Sequence, residues 1–103
     1  MQTEVILKVQ IRFFHSSHCA FCPGAKRILQ EVVEEGQLDQ FVEVEYIKID
    51  DKPEMAFELG IMALPAILVG PGGNEQMFVG LPDREQLKSA ISTYLFGGMG
   101  AEA

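Results

Sequence analysis

Apolar and polar side chains alternate along the first stretch of the chain. Val5, Leu7, Val9, Ile11 and Phe13 share one parity. Lys8, Gln10 and Arg12 hold the other, with Ile6 and Phe14 as its apolar ends. A period of two marks a strand with one buried face, so a strand is predicted over 5–14. Ser16-Ser17 breaks it, and the period changes. Ala25, Ile28, Leu29, Val32 and Val33 recur at helical spacing, with Lys26, Arg27, Gln30, Glu31 and Glu34 on the opposite face. A helix is expected from about Cys19 to Glu35. Pro23 fits a first turn, where its missing N–H costs no internal bond, and Gly36 fits the C-cap.

Leu38 and Phe41 lead into a second strand, 42–49. Here Val42, Val44, Tyr46 and Lys48 alternate with Glu43, Glu45, Ile47 and Ile49, and the pattern does not choose the inward face. Asp50-Asp51-Lys52-Pro53 reads as a turn and helix start. The short helix to Leu59 is expected to bury Met55 or Ala56 with Leu59 and to stop at Gly60. Pro65 to Val69 is a third strand, opened by proline as a strand start permits. Pro71-Gly72-Gly73-Asn74 is a turn, and Glu75 to Val79 its hairpin partner, stopped by Gly80. Asp83 can cap a last helix with Gln86 three residues on, and Leu87, Ala90, Ile91, Tyr94 and Leu95 form its apolar stripe.

The predicted order is β-α-β-α-β-β-α. Two strands joined through a helix should run parallel, and the closing pair should be an antiparallel hairpin. The fold class is therefore α/β, with a mixed four-stranded sheet and helices on both faces. At 103 residues and 48% hydrophobic composition the chain can build one core. We expect a single domain over 1–96 and a flexible glycine-containing tail over 97–103.

Charge narrows the partners. Eight Lys and Arg against 15 Asp and Glu give a formal net charge of −7, so nucleic acid is not expected. No apolar run reaches the roughly 18 residues of a membrane span, and the first residues lack a secretory pattern, so we expect a cytoplasmic, non-membrane protein.

The chemistry concentrates in Cys19-Ala20-Phe21-Cys22, which holds both cysteines of the chain. A loop closed over two residues constrains an unfolded chain weakly, so a stabilising staple explains the pair poorly. At a helix start, Cys19 would meet unpaired amides and the positive end of the helix dipole, which lower a thiol's pKa below about 8.5. Cys22 lies within bonding reach and should be less exposed. Two other readings stay open. The cysteines could be ordinary core residues, or His15, His18, Cys19 and Cys22 could be counted as metal ligands. His18, directly before Cys19, is either a charge that modulates the sulfur or a solvent-facing turn residue. Phe21 is either a partner contact or a lid over Cys22. His15 reads as a strand-end or packing residue, and Tyr46, Met55 and Met62 read as core.

Three segments together resemble the thioredoxin-like superfamily over about Val9 to Leu95. They are Cys19-Ala20-Phe21-Cys22 after the first core strand, Gly60 to Val69 with Pro65 at its centre, and Phe78-Val79-Gly80 before the last helix. The resemblance implies that Cys19 is the nucleophile and Cys22 the resolving thiol. It implies that Pro65 is cis and packed beside the disulfide. The backbone of Leu64, with Gly80 in the same groove, would receive an extended substrate by strand addition. The implied function is a thiol–disulfide oxidoreductase acting on protein disulfides. It would need no cofactor or metal, would be recharged by an unidentified upstream reductase, and would work as a monomer.

The chain departs from the family pattern in several places. His18-Cys19-Ala20-Phe21-Cys22 stands where typical members have Trp-Cys-Gly-Pro-Cys. Their buried acid falls on Phe13, its lysine partner near Tyr46, and a helix proline on Arg27. The shortened outline is also similar to glutaredoxins, which makes a glutathione-dependent reductase the enzymatic alternative. Leu81-Pro82-Asp83 replaces the glycine pair of their glutathione site, so glutathione use is not expected. The non-enzymatic alternative is a binding or metal-carrying domain of the same fold.

Overall fold

The structure, a computed structural model, describes residues 8–97. Expectations for 5–7 and for the tail over 98–103 lie outside the described residues. Four strands and three helices appear in the expected order: β1 (Val9–His15), α1 (Cys22–Glu35), β2 (Val42–Lys48), α2 (Pro53–Glu58), β3 (Ala66–Val69), β4 (Gln76–Val79) and α3 (Arg84–Gly97). A 3-10 turn, Ile49–Asp51, links β2 to α2. The sheet order is β2-β1-β3-β4. β1 and β2 are parallel, with Phe13 beside Tyr46 and His15 beside Lys48. β3 runs antiparallel to both β1 and β4.

The alternation in β1 translates into two cores. Val9, Ile11 and Phe13 face α1 and α3, where they meet Ala25, Leu29, Val32, Leu87, Ala90 and Ile91. Phe14, expected as a mere apolar end, is fully buried on the opposite face with Ile47, Ala66 and Leu68. All four residues of β3 are buried, which is why Ala66-Ile67-Leu68-Val69 is an unbroken apolar run.

β2 could not be assigned one inward face because it does not have one. Val42 is buried against the α1 side, whereas Ile47, near the other end, is buried against the α2 side. Tyr46 is exposed rather than core.

Two helix expectations change. α1 starts at Cys22, not Cys19. A helix that used the Cys19 carbonyl as its first acceptor would need an N–H from residue 23, and Pro23 has none. The first bond instead runs from the Ala25 N–H to the Phe21 carbonyl, at 3.0 Å. In α2 no residue is buried. Met55, Ala56 and Leu59 are half-buried, and Met55 and Leu59 lean on the second core from its rim. α3 begins as expected, with the Glu85 N–H donating to Asp83 Oδ1 at 3.0 Å, and Gly97 is its last residue. An Arg84–Glu31 ion pair joins the start of α3 to α1.

Candidate active site

β1 ends at His15, and the chain crosses the top of the sheet through Ser16 to Phe21 before α1 begins. This places both sulfurs at the junction of a central strand and a helix start. Cys19 and Cys22 are bonded, with S–S 2.09 Å and Cα atoms 5.4 Å apart. They differ in access. Cys22 is 6% exposed and belongs to the first core, while Cys19 is half-buried and packs against that core from outside. No side chain caps α1, and no acid stands in its first turn. The positive end of the helix is therefore left to the sulfurs, which favours a thiolate there.

Two grooves flank the disulfide. One, of about 260 Å³, is lined by Phe13, His15, Cys19, Cys22, Lys26 and Tyr46, together with the two serines and Pro23. Lys26 Nζ stands 5.0 Å from the Tyr46 ring centroid, and Tyr46 stacks obliquely on Phe13 at 5.7 Å. None of the residues lining this groove is a carboxylate. The other groove, of about 460 Å³, passes Cys19 on its far side. His18 and Ala20 form one wall, and Ala56 with Ile61 to Leu64 forms much of the other.

The two histidines thus lie in different grooves, one on each side of Cys19. Among the described residues no three His, Cys, Asp or Glu side chains are grouped as a metal site.

The predicted site residues fall as follows. His18, Cys19 and Leu64 share the second groove. The Leu64–Pro65 peptide is cis, and Pro65 is buried. Gly80 lines neither groove, but its N–H donates to the Pro65 carbonyl at 2.8 Å. Phe21 is 60% exposed and lines neither groove.

Three residues were missed. Met62, expected in the core, is 95% exposed on the rim of the second groove. Tyr46, likewise expected in the core, lines the first groove, and its pairing with Phe13 was legible once the β1–β2 register was known. Asp50, 31 residues from Cys19 in sequence, accepts a hydrogen bond from Ser17 Oγ at 2.6 Å. Ser17 Oγ is also 3.3 Å from His18 Nδ1, and Ser16 Oγ accepts from the His18 N–H at 3.3 Å. The Ser17 hydroxyl holds the Asp50 carboxyl below its ordinary pKa.

Adjacent sulfurs that can close a bond, one of them reachable from outside, form a two-electron couple that exchanges with other disulfides. The chain's relatives carry the same chemistry in their names. Residues 7–92 match the sequence profile of the thioredoxin domain. The chain is 42% identical over 88 residues to the thioredoxin of Methanocaldococcus jannaschii, covering 85% of this chain and 98% of that one. Among solved structures, chloroplastic thioredoxin z superposes with TM-score 0.71 at 27% identity, covering 84% of this chain and 78% of that one. A thioredoxin variant from Halobacterium salinarum shares the fold, with TM-score 0.70 at 22% identity over 86% of this chain and 76% of that one. With the fold, the bonded cysteine pair and a profile match over most of its length, this chain belongs to the thioredoxin domain family and is a thiol–disulfide oxidoreductase.

Proposed function

We propose that Cys19 attacks protein disulfides and that Cys22 then resolves the mixed disulfide. The observation that carries this assignment is the difference in access between two bonded sulfurs, one half-buried and one 6% exposed. A macromolecular disulfide can approach only the first. Cys22, a bond length away behind it, is placed to displace the substrate thiol and close the ring.

The substrate segment lies in the groove between His18 and Leu64, and the Leu64 backbone pairs with it in an extended conformation. Pro65 and Gly80, joined by their hydrogen bond, fix the end of β3 against β4 beside it. Met62, Phe21 and Leu81 supply exposed apolar surface for the partner chain. His18 modulates the Cys19 sulfur from the wall of the groove. Glutathione has no equivalent recognition here, because the segment before α3 carries a buried Pro82 and an Asp83 engaged in capping.

The protein works as a monomer in the cytoplasm, recharged by a reductase that supplies two electrons. It uses no metal or cofactor and engages neither nucleic acid nor membrane. No described helix is long and apolar enough to cross a membrane.

Serine variants test the assignment. Cys19→Ser abolishes reduction of a protein disulfide. Cys22→Ser completes the first exchange and accumulates a stoichiometric mixed disulfide with the substrate, seen by non-reducing electrophoresis or mass spectrometry. Equal trapping by both variants, or trapping by Cys19→Ser alone, contradicts the assignment.

A further inference from the structure

Ser17 Oγ lies 2.6 Å from Asp50 Oδ2 and 3.3 Å from His18 Nδ1. A hydroxyl has one proton to give. The shorter contact is to a carboxylate held below its ordinary pKa by that very bond, so the Ser17 proton goes to Asp50. Toward His18, Ser17 then offers only a lone pair, and Nδ1 must carry a hydrogen to make the contact. The hydrogen stays on Nδ1 in both charge states of the ring. Nε2 is then the ring nitrogen left free to meet a ligand. The His18 backbone is tied as well, its N–H donating to Ser16 Oγ at 3.3 Å. His18 lines the groove that holds Cys19 and, on the reading above, the substrate.

We propose that Asp50, Ser17 and His18 form a relay that presents His18 Nε2–H as the general acid for the thiol leaving the substrate. This rests on Cys19 being the nucleophile. The Cys19 thiolate attacks one sulfur of the substrate disulfide. A Cys19–substrate S–S bond forms, the original S–S bond breaks, and its electron pair leaves on the distal sulfur. That thiolate takes the proton from Nε2 and departs as a thiol, leaving a neutral imidazole with its hydrogen on Nδ1. His18 is exposed, so water returns the proton. His18 is the catalytic residue, and Asp50 and Ser17 are positioning residues.

The other groups facing this corner do not compete. Ala20, Ile49, Ala56 and Ile61 to Leu64 are apolar, Ser16 accepts from the His18 N–H, Lys48 acts on Asp50 by charge, and His15 is in the opposite groove.

Leaving-group acidity tests the relay. A thiol of high pKa is the poorer leaving group and gains most from a proton as it leaves, while a nitrothiobenzoate, already stable as an anion, gains little. The reduced protein is reacted with bis(hydroxyethyl) disulfide and with dithiobis(nitrobenzoate), and the ratio of the two attack rates is taken. Both probes meet the same thiolate, so any change in its population cancels in the ratio. His18→Gln is expected to lower the ratio by roughly 100-fold, the low end of general-acid contributions. Asp50→Asn and Ser17→Ala, which keep the imidazole but release its tautomer, lower it in the same direction by less. An unchanged ratio in His18→Gln overturns the proposal. So does a fall in His18→Gln alone, with Asp50→Asn and Ser17→Ala at the parent ratio. The nitrobenzoate probe checks the underlying assignment separately. If Cys19→Ser reacts with it as fast as the parent does, the nucleophile is wrong, and the relay falls for that reason instead.

Discussion

At the scale of single residues, the site is set by which sulfur can be reached and by what surrounds each one. Cys22 is enclosed by the first core and a groove without a carboxylate, while Cys19 faces a groove with a histidine on its wall. Asp50 adds a measurable signature. Its pKa is lowered first by the Ser17 hydrogen bond, so its stabilising contribution exists above the unfolded value near 3.9. That contribution is lost as pH falls through the lower folded value. Asp50→Asn should therefore lower the urea midpoint slightly at about pH 7, and the deficit should shrink as pH falls below the unfolded value near 3.9, because protonation of Asp50 removes the same advantage. A deficit that persists undiminished in acid would show that the carboxylate charge is not the cause. The cysteine pair was legible in the sequence because its chemistry is local. The Ser17–Asp50 bond was not, since it joins a loop before α1 to the turn after β2 and leaves no periodic trace.

At the scale of elements, the termini of strands and helices carry the function, and two glycines show how differently such ends are held. Gly80 has φ +83°, yet a Cβ there would meet nothing within 4 Å. Gly80→Ala should then cost only the left-handed backbone penalty, about 1–2 kcal/mol. Gly70 has φ +119°, and a Cβ would lie 2.7 Å from the Tyr94 ring. Gly70→Ala should lose clearly more, because it must also displace a ring whose hydroxyl donates to the Asn74 carbonyl at 2.8 Å. Denaturant unfolding of the two variants checks the order; equal losses would mean that Tyr94 moves freely.

Elements whose residues face one environment were readable as patterns: β1 by its alternation, β3 by its continuous apolar run, and α3 by its cap and stripe. The start of α1 was misjudged by three residues because apolar spacing does not register that Pro23 cannot donate to Cys19. The inward face of β2 stayed undecided because burial changes side along the strand.

At the scale of the whole molecule, the sheet order β2-β1-β3-β4 puts β1 in the interior, so its end delivers the cysteine loop to the top of the sheet. The loop from α2 to β3 comes up beside it, carrying Met62 and Leu64 to the same groove. The topology was legible from element order, but the groove was not, because it exists only where two segments distant in sequence meet. That is also why Met62 and Tyr46 read as core: hydrophobicity marks a side chain for burial, and whether a protein partner or the interior covers it depends on tertiary placement. The function of the whole molecule depends on Cys19 and Cys22 acting as one couple. Equilibrating the protein in glutathione buffers of graded potential, trapping with an alkylating reagent and weighing the chains by mass spectrometry tests this most directly. Two thiols should appear together and reversibly, with a tenfold change in the dithiol-to-disulfide ratio per roughly 30 mV. Singly alkylated chains dominating the transition, or thiols that stay reduced across the whole range, would contradict it.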